Sequence, residues 1–247
     1  MILETALGQK ADTINSRFFT ESDPRAERVI FRIPDYWWSR PSEYAWAVNV
    51  AKPGTTVLDA ASGICHPLKF KLFEMGCTVK ACDLDERILS PEAIRDEVLE
   101  VFGEEDAVNL KPEFMADIDY SRASLTALPY VDKTFDSVFC ISVLEHLPDS
   151  FNANYRRLRP FKRLVQPFVK QDISKTLSEF KRILKDDGQI ALTFDFPRIN
   201  LEYLVSAAAD NGLTFAGEVQ LAPPEDALFA EKHGLRCFRA LLEKVDV

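Results

Sequence analysis

The sequence predicts a doubly wound α/β domain, built on a mostly parallel seven-stranded sheet with an antiparallel pair at one edge. Three observations carry that prediction. Short apolar runs alternate with amphipathic segments from Thr56 to Asp195, the rhythm of a parallel sheet covered by helices on both faces. The helix stops and caps fall between these runs, as at Gly76 and at Ser90-Pro91. The last two strand-like runs are separated only by a Pro-Pro turn and a short insert, the pattern of an antiparallel edge.

Taken in order, residues 1 to 50 stand outside the βα rhythm and read as helical segments, a lid-like arm packed beside the sheet. Pro53-Gly54 then turns the chain into a first strand, Thr56 to Asp59. Pro67 to Met75 reads as a helix and Thr78 to Asp83 as the second strand. Ser90 caps a helix that runs to Phe102 with Pro91 at its first position. A third strand is expected around Ile118 to Ala123 and a fourth, fully buried, from Phe135 to Ile141. Ile173 to Leu184 is amphipathic with helical period, Lys185-Asp186-Asp187-Gly188 is a turn, and Gln189 to Asp195 is the fifth strand. A helix from Asn200 to Asn211 leads to the edge strands, Thr214 to Leu221 and Arg236 to Glu243.

Composition narrows what such a domain does. The 247 residues are 47% hydrophobic and 28% charged, the profile of a globular chain. The formal net charge of -9 argues against broad binding to nucleic acid, which needs a basic face. No apolar run approaches the ~18 residues of a membrane helix, and the N-terminus lacks the basic-then-apolar pattern of a secretion signal; a cytoplasmic location is expected. The five cysteines are odd in number and show no C-x-x-C spacing, so reduced thiols are expected and a bound metal is not.

In an open parallel sheet a ligand binds beyond the carboxyl ends of the strands, where the strand order reverses. The first strand is followed by V-L-D-A-A-S-G-I-C-H, Val57 to His66, and the second ends A-C-D-L-D, Ala81 to Asp85. Ala60, Ala61, Ser62 and Gly63 are small enough for a tight turn that lets backbone approach a ligand. Asp83 lies at the spacing from this loop at which a carboxylate takes both hydroxyls of a ribose. Ala123-Ser124-Leu125-Thr126-Ala127-Leu128-Pro129 follows the third strand, Val143-Leu144-Glu145-His146-Leu147 follows the fourth, and Arg182-Ile183-Leu184-Lys185-Asp186-Asp187-Gly188 precedes the fifth.

From Thr56 to Asp195 these motifs, in this order, resemble the class I S-adenosylmethionine-dependent methyltransferases, in particular the type 11, ubiquinone-biosynthesis-like group. The resemblance implies a single methyltransferase domain over 1-247: the arm at 1-50, a cofactor-binding core at 56-195, and a C-terminal helix with edge strands at 196-247. It implies S-adenosyl-L-methionine as cofactor, with contacts from Asp59, Ala60, Ala61, Ser62, Gly63, Asp83, Leu84, Ser124, Leu125, Ile141 and His146. Where the family carries D-x-G-x-G-x-G, this chain has Ala61 and Cys65 at the outer glycine positions; where it usually carries an adenine-binding Asp, this chain has Ser124. Arg40 is a candidate for the cofactor's methionine carboxylate by its charge.

His146, just past the fourth strand, is the candidate catalytic residue, a general base for an acceptor hydroxyl or amine; contact with the cofactor or capping of the next helix are its other readings. His66 could also face the site, and Glu145 borders the cofactor or positions a neighbour. Tyr36 to Trp46 holds all three tryptophans, which either wall the cofactor site or pack on the sheet. Residues 150-172 form a basic insert with Arg156, Arg157, Arg159, Lys162, Arg163 and Lys170, either a solvated helix or the recognition element for an acidic acceptor. The expected acceptor is a small molecule. Two rivals stand beside this reading. A nicotinamide-dependent oxidoreductase needs G-x-G-x-x-G, which Ser62-Gly63-Ile64-Cys65 does not supply; a non-catalytic binding protein of the same fold would explain Ala61, Cys65 and Ser124.

Overall fold

Chain entry sets the edge of the sheet. In the computed structural model, which describes residues 12-147 and 162-245 with the side chains of 162-171 outside that description, the chain begins with β1 (Arg17–Phe18) and α1 (Arg40–Val50). Of the helical segments expected in the first fifty residues, only α1 forms among the described ones; residues 12-39 are turns, bends and β1. The reason is a distant partner: β1 pairs antiparallel with the last strand, Arg17 opposite Arg239 and Phe18 opposite Phe238. Arg17 and Arg239 share Asp12 and Asp23 in a half-buried ion-pair network that ties the arm down.

The alternating core follows: β2 (Thr56–Ala60), α2 (Leu68–Glu74), β3 (Thr78–Asp83), α3 (Pro91–Ala107), α4 (Pro112–Asp117), β4 (Asp119–Arg122), β5 (Phe135–Ile141), α5 (Lys162–Ile183) and β6 (Leu184–Phe196). The chain closes with α6 (Leu201–Asp210), β7 (Leu213–Phe215), β8 (Phe229–Ala230) and β9 (Leu235–Lys244). Strands β4-β3-β2-β5-β6 lie side by side and parallel, and β9 joins β6 antiparallel. β1, β7 and β8 all pair antiparallel with β9, so the described sheet has nine strands where seven were expected.

Side chains of the central strands alternate between two cores, as strand geometry requires. Leu58, Val138 and Cys140 enter the cluster holding Ile173, Leu177, Phe180 and Leu204 of α5 and α6; Val57, Phe139 and Ile141 enter the one holding Tyr44, Phe70, Ile94 and Phe114 of α1 to α4. Ser90 Oγ accepts from Ala93 N at 3.1 Å with Pro91 behind it, the expected cap. The helix passes beyond its expected end at Phe102, but Gly103 interrupts it with φ 76° and ψ 171°. β6 begins at Leu184, earlier than expected: its register with β5 jumps from Phe135–Leu184 to Ser137–Gln189, so the expected turn Lys185 to Gly188 is a bulge inside the strand. β7 is shorter than expected because the chain after Ala216 leaves β9 and binds the arm, with Ser16 N donating to Glu218 O at 2.8 Å and Gln220 N to Ser16 O at 2.9 Å. No helix among the described residues is long and apolar enough to cross a membrane.

From β2 the chain moves outward through β3 and β4, then returns to the other side of β2 at β5. The order reverses between β2 and β5, and the crevice past their carboxyl ends is where a ligand is expected.

Candidate active site

Loop Ala61 to Pro67, between β2 and α2, forms the floor of that crevice. Ala61 and Gly63 both take left-handed backbone, φ 53° and 62°. Gly63 has no room for a side chain, since a Cβ there would stand 2.5 Å from His66 Cδ2. Ser62 N donates to Cys82 O and Gly63 N to Asp83 Oδ2, both at 2.9 Å, which sews the loop to the end of β3. Ala60 is fully buried in the α5-α6 core. Cys65, at the last glycine position of the family motif, is buried in the opposite core, where burial pushes its thiol up to about 12.

Two adjoining cavities open above the loop and share Ala61, Val143 and His146 as walls. One, about 330 Å³, is bordered by Asp83, Leu84, Ser124, Leu125 and Leu147. Asp83 Oδ1 accepts from Asp85 N at 3.0 Å, so the carboxylate is held on both sides by backbone. Ser124 Oγ is engaged within its own turn, 2.9 Å from Thr126 Oγ1 and accepting from Thr126 N at 3.3 Å. Besides His146, the ionisable groups on this chamber's described walls are Asp83 and Asp172, the latter on α5.

The second cavity, about 290 Å³, is bordered by Arg40, Tyr44, Asp59, Ser62, His66 and Ile141. Here the charges are buried. Asp59 is 3% exposed, and its Oδ2 has no hydrogen-bond partner among the described residues. Burial pushes its carboxyl up to about 6, with the charge of Lys69 pulling the other way. Arg40 Nη1 donates to Glu43 Oε2 at 2.7 Å. Glu43 is fully buried and its Oε1 accepts from Ser142 Oγ and Thr193 Oγ1, each at 2.6 Å. Burial raises the Glu43 carboxyl, but Arg40 and these hydroxyls outweigh it and hold it below its ordinary value. Tyr44 Oη and His66 Nδ1 share a hydrogen bond of 2.8 Å, and Trp37 stacks on the imidazole at 4.4 Å between centroids. Burial, aided by Arg40 and Lys69, keeps His66 well below its ordinary pKa, hence neutral. The tryptophans divide: Trp37 backs His66, whereas Trp46 is core and donates to Thr13 O at 2.9 Å.

His146 is exposed and faces both chambers. Glu145 turns inward: Oε1 accepts from Asp195 N at 3.2 Å, and Oε2 is buried without a partner among the described residues. Burial, with Asp195 and Glu43 nearby, pushes its carboxyl up to about 8. The structure thus gathers Arg40, Asp59, Ala61, Ser62, Gly63, Ile141 and His146 around one chamber, and Asp83, Leu84, Ser124 and Leu125 around the other. Arg156, Arg157 and Arg159 lie outside the described residues, as do the side chains of Lys162, Arg163 and Lys170. Sequence reasoning missed Glu43, Tyr44 and Lys69. The only signal for Glu43 is its i,i+3 spacing from Arg40 at a proline-led helix start; Lys69 gives none.

A family model described as a methyltransferase domain matches residues 58-192, more than half of the chain. Methyltransferase GfsG of Streptomyces halstedii is 25% identical over 195 residues, which cover 78% of this chain and 56% of that protein. The chain therefore spans just over half the length of this curated relative. Among solved structures, geranyl diphosphate methyltransferase in complex with SAM superposes with a TM-score of 0.52 at 13% identity, over 83% of this chain and 86% of the other. A Burkholderia thailandensis 1,6-didemethyltoxoflavin-N1-methyltransferase with bound S-adenosylhomocysteine gives 0.50 at 17% identity, over 85% and 81%. At these identities the likeness is one of fold. With the loop, the two strand-end acids and the matched span in agreement, the chain belongs to the type 11 methyltransferase domain family.

Proposed function

We propose that this chain is an S-adenosylmethionine-dependent methyltransferase that works on a small-molecule acceptor in the cytoplasm. The observation that carries the cofactor reading is the placement of two strand-end carboxylates, one in each of two joined chambers: Asp59 with an unpartnered buried oxygen, and Asp83 with its carboxylate fixed by backbone N–H groups. A buried carboxylate oxygen without a donor is costly unless a ligand supplies one. The ammonium of the cofactor's amino-acid end fits Asp59, with Arg40 beside it for the carboxylate. Its ribose hydroxyls fit Asp83, and Ser124 and Leu125 flank the base. Ala60 would act from the core as packing under the loop. Bound there, the cofactor supplies an electrophilic methyl group on a positively charged sulfur.

The protein's own contribution is alignment and exclusion of water, which account for much of the acceleration of such a displacement. His146 borders both chambers, where the ribose and amino-acid ends meet, and serves as the base for an acceptor that must lose a proton. The net charge of -9 supports a small acceptor over a nucleic acid, and the basic insert at 150-172, which runs into the first half of α5, favours one bearing a carboxylate or phosphate. Five cysteines, all buried and unpaired, support the cytoplasmic location. Isothermal titration with S-adenosylmethionine, S-adenosylhomocysteine and NAD tests the cofactor: binding of the first two and not the third is expected, and NAD binding alone would overturn the reading. With an acceptor in hand, His146→Ala should lower kcat about 10²-fold with cofactor affinity nearly intact; a loss confined to affinity makes it a binding residue.

A further inference from the structure

Lys69 is a lysine where the fold has no obvious use for one. It sits on the first turn of α2, directly beneath the cofactor loop, and is 0% exposed. Lysine is almost never fully buried unless its charge is met. Its hydrogen bonds here go to backbone: Nζ donates to Gly63 O and His66 O at 2.8 Å and to Ser62 O at 3.4 Å. Three carbonyls match the three N–H groups of an ammonium, and the face of Phe70 lies 4.8 Å from Nζ.

The direction of those bonds matters more than their number. In a planar trans peptide the C=O and the following N–H point opposite ways. Drawing the Ser62 and Gly63 carbonyls inward therefore turns the N–H groups of Gly63 and Ile64 away from Lys69. The first of these is the group that donates to Asp83 Oδ2 at 2.9 Å. The same loop carries Ala61 and Cys65 where the family motif has glycines, and Ala61 is held at φ 53°. A loop with fewer glycines needs another device to keep its peptides turned.

We propose that Lys69 is a positioning residue for the cofactor, a buried cationic clamp that orients the peptides of the Ala61 to His66 loop and, through Gly63 N–H, the carboxylate of Asp83. The proposal rests on the cofactor reading above. It implies a dependence on Lys69 protonation, because a neutral amine has two donors for three carbonyls and no charge. Burial pushes the ammonium down to about 8. The groups that face it are Asp59 on β2, Asp83 on β3 and Glu97 on α3, whose negative charges oppose that fall, with the Cys65 thiol in the loop, which burial keeps protonated, and the neutral His66 beside it. The folded value lies below the ordinary 10.5, so the clamp is intact below pH 8 and is lost as pH rises through it.

The test is calorimetric binding of S-adenosylhomocysteine between pH 7 and 9.5 to the wild type and to Lys69→Met, which keeps the apolar stem and removes the charge, together with amide-exchange protection of residues 61-66 without ligand. Lys69→Met should bind about tenfold more weakly at pH 7 and expose the loop amides to exchange. Beyond the loss that titration of the ligand's own amino group gives both proteins, the wild type should lose affinity toward the variant's value above pH 8, and the variant should show the ligand's loss alone. Lys69→Gln serves in the same comparison if the methionine variant does not fold. A variant that matches the wild type in affinity, pH profile and loop exchange overturns this proposal alone; a wild type that binds no S-adenosylhomocysteine at any pH overturns the cofactor reading and this proposal with it.

Discussion

The two ends of the cavity are built on opposite principles. Around Asp59, whose own Oδ2 is unpartnered among the described residues, the charges in and behind the walls are partnered: Arg40 with Glu43, Glu43 with Ser142 and Thr193, Lys69 with three carbonyls. Around Ser124 the walls are mostly neutral, and the polar groups satisfy one another within a turn. Burying a charge is tolerable only when its partners are fixed, so the charged end must be rigid before any ligand arrives. The neutral end can rely on contact area and a few hydrogen bonds. Substitutions should therefore cost fold stability at one end and ligand affinity at the other.

The largest effect expected from this contrast is at Glu43. Glu43→Ala leaves the largely buried Arg40 guanidinium without its carboxylate and the Ser142 and Thr193 hydroxyls without their acceptor, and breaking a buried pair from one side costs about 3–5 kcal/mol. For a domain of this size that is a fall in Tm on the order of 10 °C, readable by calorimetry; a change under about 1 kcal/mol would break the comparison, because the pair would then be no more than a surface contact. Next comes Asp83→Ala at the border of the neutral end. It should leave the fold intact and weaken S-adenosylhomocysteine binding by about ten- to a hundredfold, the worth of hydrogen bonds to a charged group. Unchanged affinity in the folded variant would remove Asp83 from the site.

Asp59 links the two ends through pH. Its folded pKa of about 6 lies above its ordinary 3.8, so the folded protein holds this proton more tightly than the unfolded one. Its own contribution to stability is present below pH 4 and is lost as pH rises through 6. Ligand binding should run the other way, because an ammonium partner prefers the ionised carboxylate. Affinity for S-adenosylhomocysteine should be full above pH 6 and fall by up to about tenfold per unit below it. Asp59→Asn should flatten that profile; a wild-type profile already flat from pH 5 to 7 would remove the ammonium from beside Asp59.

Legibility in the sequence divides along the same physical line. β3 and β5 begin and end where the sequence predicts: Val138 to Ile141 of β5 is an apolar run buried on both faces, and β3 keeps buried Val79, Ala81 and Cys82 around a more exposed Lys80. Asp59 and Asp83 were legible because their spacing follows from one βαβ unit. The arm was not: two residues of β1 pair with Arg239 and Phe238 at the other end of the chain, and local periodicity holds no trace of that partner. β7 was overcounted for the same reason, since Glu218 to Gln220 bond to the arm and not to β9. Glu43 and Lys69 were invisible because both residue types are ordinarily exposed, and only the fold brings carbonyls and hydroxyls to meet them.

The smallest effect sharpens the comparison most. Ala61 and Gly63 share left-handed backbone in one loop, yet they stand in different surroundings. For an alanine that conformation costs about 1–2 kcal/mol. Ala61→Gly removes that cost, but glycine loses about 0.5–1 kcal/mol more chain entropy on folding, and the partly buried methyl contributes somewhat less than about 0.8 kcal/mol. The three terms nearly cancel, so stability should change by well under about 1 kcal/mol in either direction, with S-adenosylhomocysteine affinity unchanged within about twofold, because the loop's peptides are set by Lys69 and Asp83. Gly63→Ala meets the same backbone cost, only partly offset by alanine's smaller entropy loss on folding, and drives a methyl into His66, so it should destabilise by about 2 kcal/mol or more and weaken binding with it. Chemical denaturation of the pair decides between them. If Ala61→Gly loses more than about 1 kcal/mol, the methyl is holding the loop and the clamp is not, and the charged end of the cavity owes less of its rigidity to buried charge than to packing.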